Sequence, residues 1–377
     1  MESYEVVQGK KLRQGYTTGS CAAAATKAAA RMLLGRVAVP VVQLTTPRGL
    51  VLDLEPEDVH VTANAATCAI RKNSGDDPDI TDGVRIYATV EKTACGWELA
   101  AGPGVGTVTK DGLACAKGGP AINPVPQRMI RAAAESEAAA SGYTGGLKVT
   151  ISIPGGDVLA AKTFNPRLGI EGGLSILGTS GIVDPMSEKA LVDTIKTEMK
   201  ARRANGDTHL LAFFGNYGVD FGRDTLHLDV ERRVTCSNYV GDMLDYAVYC
   251  GFTDVLLIGH AGKLIKLALG IMNTHSRYAD GRTEFMALQA IFAGASVETA
   301  KRIYASRTTD EAIAILKEAQ VLEPVMQAAT ERIEYYMEQR VHGELRCGAI
   351  LFSNTYGVLG ETSHVPELIR AQKEQNT

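Results

Sequence analysis

The apolar positions of this chain change their period near its middle. Residues 20–34, SCAAAATKAAARMLL, are alanine-rich, free of Gly and Pro and preceded by the cap-capable Thr17 and Thr18, which predicts a helix closed by Gly35. Short β-branched runs follow at 37–47, 49–54, 58–66 and 83–93, each bounded by Gly, Pro or Asp, and these read as strands with turns at 47–49 and 75–78. The alanine pattern returns as a helix over 124–141, with Pro near its first turn. Residues 148–163 then read as a hairpin-like strand pair around Pro154, Gly155 and Gly156. The first part is therefore mixed α+β, without repeated βαβ units.

Residues 165–185 are dense in glycine and proline and mark the junction, giving an α+β domain over 1–175 and an α/β domain over 176–377. Beyond it, a helix from 186 to 204 leads to the strand HLLAFFG, and a helix from 238 to 250 leads to the strand DVLLIG. Another helix follows from about 262. Alternating helices and wholly apolar short strands predict a parallel sheet covered on both faces. Residues 282–340 read as helical, and RCGAILFSN offers a late strand.

With 377 residues, 45% hydrophobic and 22% charged, the chain is long enough for two cores. The net charge of -4 and the lack of a basic block argue against nucleic acid as a partner. The N-terminal residues carry both charge signs and no apolar run reaches the ~18 residues of a membrane span, so a cytoplasmic protein without a membrane partner is expected. Seven scattered cysteines without a C-x-x-C pair read as reduced, mostly buried thiols.

Candidate chemistry concentrates where strands end in glycine. Residues 254–270, DVLLIGHAGKLIKLALG, place Gly259, His260 and Gly262 between a buried-type strand and a helix, where a nucleotide-like ligand meets unpaired N–H groups. A tight turn capped by His260 explains the same pattern. A second strand runs into Gly215, Asn216 and Gly218, which is either part of the same pocket or an ordinary Asn-containing turn. The segment 273–282 carries His275, Arg277, Asp280 and Arg282, a set able to grip carboxylates and move a proton, or simply a solvated loop with an ion pair. Thr17, Thr18 and Ser20 at a helix start suit an anion as well as capping. The glycine-rich loop 102–112 could cradle a phosphate or turn a hairpin, and the acidic 75–79 is foremost turn chemistry. No G-x-S-x-G, H-E-x-x-H or Walker A is present, which argues against serine hydrolases, zinc peptidases and P-loop enzymes. Taken alone, these features describe a two-domain α/β enzyme with an anionic ligand.

Nine segments in order, among them 12–29 (LRQGYTTGSCAAAATKAA), 73–83, 104–113, 120–130, 164–187, 237–245, 259–282 (GHAGKLIKLALGIMNTHSRYADGR) and 308–312 (TTDEA), resemble the cobalt-precorrin-5B C1-methyltransferases of anaerobic cobalamin biosynthesis. The chain departs from that pattern at Phe213 and Phe214, where Pro-Gly-Asn is expected, and at Pro103, which replaces an acidic residue. The resemblance implies an S5-like α+β domain followed by a Rossmann-like domain, and methyl transfer from S-adenosylmethionine to C1 of a tetrapyrrole that carries its own cobalt. Because the sulfonium is already activated, no protein-bound metal is expected; a homo-oligomer stays open. On this reading Gly215, Asn216, Gly218, Gly259, His260 and Gly262 face the cofactor. Arg13, Thr17, Thr18, Ser20, Lys263, Arg277 and Arg282 are candidates for substrate acetates and propionates, and His275 or Asp280 for a proton. The competing readings are a small-molecule kinase of S5-like fold, suggested by the 102–112 loop, and a non-catalytic tetrapyrrole-binding protein.

Overall fold

A computed structural model describes residues 3–7 and 9–375. The chain divides into two compact units, Met1–Glu188 and Lys189–Thr377. The glycine- and proline-rich stretch lies wholly in the first unit, so the division falls after the expected 175/176. The reason is pairing: Ile170–Glu171, Gly173–Leu174 and Ile182–Val183 form short ladders with Thr107–Val108, Gly104–Val105 and Gly15–Tyr16.

The first unit is built on helix α1 (Thr18–Gly35), strands β1 (Glu57–Val61), β2 (Ala65–Arg71), β3 (Arg85–Thr93) and β4 (Trp97–Ala101), helix α2 (Pro124–Ser141) and strand β5 (Gly146–Ser152). The strands form one sheet in the order β1-β2-β3-β5-β4. All neighbours are antiparallel except β5 and β4. Alternation along β3 and β5 sends Ile86, Ala88, Val90, Val149 and Ile151 into a core shared with α1 and α2. The alanines of α1 are fully buried, their small side chains letting the helix lie close to sheet and partner helix. Residues 58–66, expected as one strand, are split by the turn at 62–65 into the antiparallel pair β1 and β2. The hairpin expected over 148–163 does not form. Both edges of β5 are already taken, by β3 and β4, so after Pro154 the chain turns into the short helix Gly156–Ala160.

The second unit contains α3 (Glu188–Ala204), β6 (His209–Phe213), α4 (Asn216–Asp224), β7 (Val234–Thr235), α5 (Val240–Cys250), β8 (Asp254–His260) and α6 (Ala261–Leu267). Helices α7 (Arg282–Phe292), α8 (Val297–Tyr304), α9 (Thr309–Glu318) and α10 (Leu322–Val341) precede β9 (Arg346–Ser353), β10 (Gly357–Glu361) and α11 (Val365–Gln375). The sheet order is β7-β6-β8-β9-β10, with β10 alone antiparallel. Alternate residues of β6, β8 and β9 serve opposite cores. Leu210, Ala212, Val255, Leu257, Ala349 and Leu351 pack with α5, α6, α7 and α10. Leu211, Phe213, Leu256, Ile258, Ile350 and Phe352 pack with α4 and α11. Helices thus cover both faces, as the apolar strands predicted. After Gly215, where the sequence suggested a pocket turn or an ordinary Asn-containing turn, the chain enters the helix α4 at Asn216.

Candidate active site

In the second unit the first strand, β6, lies between the second and third, β7 and β8, so successive connections leave to opposite faces. In open α/β sheets ligands gather outside the carboxyl ends of the strands at such a reversal, here β6 and β8. Phe213 pairs with Ile258 in the parallel ladder, which brings the turn at Gly215–Gly218 beside that at Gly259–Gly262. Glycine is required at 259, where an added Cβ would stand 2.5 Å from the Phe214 ring. Phe214, the residue before the Gly215 turn, therefore packs directly on the β8 turn.

His260 caps α6: its Nδ1 accepts the N–H of Gly262 at 3.1 Å, which leaves the ring proton of the neutral form on Nε2. Burial lowers its pKa, with Asp310 opposing. Nε2 faces Asp310 Oδ1 at 3.9 Å, and the same carboxylate accepts from Ser353 Oγ at 3.0 Å at the end of β9. Lys263, its pKa lowered by burial, lies 5.3 Å over the Phe214 ring and donates to the Ser237 carbonyl.

The segment 273–282 is held from below. Lys266, only 2% exposed, donates from Nζ to the carbonyls of Thr274 (3.1 Å) and Ala279 (3.0 Å). Its pKa is lowered, burial outweighing the nearby Asp280. Arg282 forks onto Asp280, Nε to Oδ1 at 2.7 Å and Nη2 to Oδ2 at 2.8 Å, while Nη1 donates to the Gly262 carbonyl and to Thr309 Oγ1, each at 3.3 Å. That guanidinium holds the Asp280 carboxyl down at about 2. Its fork is thus occupied, and Arg282 braces the β8–α6 turn against the loop. His275 and Arg277 are exposed at the loop apex; Arg277 lies over the Tyr278 ring, and its N–H donates to His275 Nδ1 at 3.2 Å.

The remaining candidates lie in the first unit. Arg13 pairs with Asp76, main-chain N–H to Oδ2 at 2.8 Å and Nη2 to Oδ1 at 3.1 Å, beside a cavity of about 500 Å³ that Gln14, Tyr16, Leu52 and Asn73 also line. Thr17 Oγ1 caps the Ser20 N–H, Thr18 Oγ1 accepts from Leu177 N–H at 2.8 Å, and Ser20 Oγ donates to the Gly181 carbonyl at 2.7 Å. The Gly19 and Cys21 N–H groups are taken by Leu177 and Thr17. In this arrangement the start of α1 binds the 177–181 segment where an anion was expected. Gly102, Gly104 and Gly106 of the 102–112 loop are closely packed: a Cβ at Gly104 would stand 1.8 Å from the Ile153 carbonyl oxygen and one at Gly106 2.4 Å from the Ile170 side chain. Asp76, Asp77 and Asp79 of the acidic turn engage Arg13, the Met186 N–H and Lys72.

Sequence reasoning missed Lys266, Thr309, Asp310 and Ser353. TTDEA was legible as a motif, but its contact with the β8 turn depends on how α9 packs.

Two family models match the chain: CbiD over residues 5–185, and the CbiD C-terminal domain over residues 273–363. It is 48% identical to the cobalt-precorrin-5B C(1)-methyltransferase of Ruminiclostridium cellulolyticum, across 94% of this chain and 92% of that one. With the same-named proteins of Alkaliphilus metalliredigens and a Thermoanaerobacter species, identity is 42% over 100% and 99% of the two chains, and 44% over 97% and 100%. A solved cobalamin biosynthesis protein (cbiD) from Archaeoglobus fulgidus aligns with 84% of this chain and 88% of its own, at 23% identity and a TM-score of 0.39. Similarity of this strength along the whole length leaves one assignment: the chain belongs to the CbiD family.

Proposed function

We propose that this chain methylates C1 of cobalt-precorrin-5B with S-adenosylmethionine, giving cobalt-precorrin-6A, and that it does so with a Rossmann-like second unit and an S5-like first unit. The observation that carries the reading is near-full-length identity above 40% to relatives bearing that name. The reversal of strand order between β6 and β8, where ligands of open α/β sheets gather, supports it.

The sulfonium is an activated donor, so the protein has chiefly to hold the S–CH₃ bond in line with C1 and keep water out. Gly215, Asn216, Gly218, Gly259, His260 and Gly262 form the cofactor turns, where small residues admit the ligand and helix N-termini offer N–H groups. The neutral His260 donates from Nε2 without adding charge beside the sulfonium, and the Asp310 carboxylate supplies attraction to it. Arg277 meets a substrate carboxylate at the loop apex and Lys263 a second one. Asp280, held at about 2, stays ionised and anchors Arg282. A proton shed by the macrocycle reaches His275 once its Nδ1 releases the Arg277 N–H.

Two assays test this. The purified protein, given S-adenosylmethionine and cobalt-precorrin-5B, must produce S-adenosylhomocysteine and a tetrapyrrole heavier by one methyl. S-adenosylhomocysteine must raise the Tm. Stabilisation by ATP with magnesium alone, or corrinoid binding without turnover, would return the reading to the kinase or the carrier.

A further inference from the structure

Glu334 and Glu338 stand one turn apart on α10 and share a face, and His364 reaches them from the turn between β10 and α11. One donor atom of each lies within 4.8 Å of the other two. His364 Nε2 is 4.0 Å from Glu338 Oε1. Ligands about 2.1 Å from a common ion sit roughly 3–4 Å apart, so closure asks for small side-chain rotations.

Two further observations converge on the same spot. Glu334 Oε1 accepts both the N–H (3.1 Å) and the Oγ–H of Ser363, the kind of outer partner that orients a ligating carboxylate. The adjoining cavity, of about 780 Å³, is lined by Glu338 and His364 together with His342 and Glu344, which gives a bound ion room for water or another donor. Arg346 at the cavity wall is paired with Glu367.

The geometry points to a divalent-cation site at Glu334, Glu338 and His364, a mixed carboxylate and imidazole set suited to zinc or manganese. Thr253 and Arg346, at the amino ends of β8 and β9, line the cavity, so the site lies at the edge of the sheet opposite the carboxyl ends of those strands. An ion there ties α10 to the β10–α11 turn and acts on stability, independently of methyl transfer. It departs from the sequence-based expectation of a chain without a metal.

The test is calorimetric titration of metal-stripped, full-length protein with Zn²⁺ and separately with Mn²⁺, beside Glu338→Gln and the double variant Glu334→Gln/His364→Ala. We expect about one ion per chain and a Tm that rises with the ion. Binding should weaken at least about tenfold in each variant. Circular dichroism of the metal-free variants confirms that they fold, and S-adenosylhomocysteine affinity stays the same in all. A wild type that takes up neither ion, or variants that bind it as tightly as the wild type, overturns the site.

Discussion

Replacing Arg282 by methionine separates a brace from a substrate grip. The change removes the fork to Asp280, at 2.7 and 2.8 Å, and the two 3.3 Å contacts to the Gly262 carbonyl and Thr309. The Arg282 and Asp280 side chains are 28% and 47% exposed, so solvent screens the pair and its geometry places it at the upper end for a surface ion pair, about 1 kcal/mol. For a unit of this size that corresponds to a fall in Tm of roughly 2–4 °C at neutral pH. The pH dependence has a definite sign. Asp280 titrates near 2 in the folded chain, below the ordinary 3.8, so its stabilisation is present above pH 4 and is lost as pH falls toward 2. The gap between wild type and Arg282→Met should therefore shrink between pH 5 and pH 3. Because Arg282 also fixes the Gly262 carbonyl, kcat should fall more than the affinity for S-adenosylhomocysteine. Thermal unfolding across pH and steady-state methyl transfer check both parts. A gap that persists unchanged at pH 3, or a variant with wild-type kcat, refutes the brace.

Two further outcomes follow from the site. Arg277→Lys keeps the charge but loses the planar fork, and should weaken tetrapyrrole binding by roughly 1–3 kcal/mol while cofactor affinity barely moves; wild-type KM and kcat would remove its binding role. At Gly262 a Cβ just fits, 3.4 Å from His260 Nδ1 and 3.5 Å from Arg282 Nη1, but the γ-carbons of valine would press on both. Gly262→Val should lower S-adenosylhomocysteine affinity at least about tenfold by calorimetry, a loss above about 1.4 kcal/mol, and unchanged affinity would misplace the cofactor.

What the sequence determined by itself are the elements whose pattern is local. Helices α1 and α2 are alanine-rich with caps at Thr17 and Gly142, and β6, β8 and β9 are apolar runs too short for helices and closed by glycine or polar residues. The two glycine turns and the crowded 273–282 segment were visible for the same reason. Helix α4 was not, because Gly218 and Gly222 depress its propensity and packing on Phe213 and Val230 compensates. The helix after Pro154 escaped too, since only strand pairing reveals that β5 has no free edge. The roles of single side chains depended on partners distant in sequence. Thr17, Thr18 and Ser20 look like an anion site until the 177–181 segment closes over them, and Arg282 looks like a substrate clamp until Asp280 and Thr309 occupy it. Lys266 and the Glu334–Glu338–His364 group have no local signature, and the TTDEA motif shows Asp310 without its partners. Their chemistry arises from burial and from electrostatics at a few ångströms, and only the packing of α9, α10 and β9 brings those charges together.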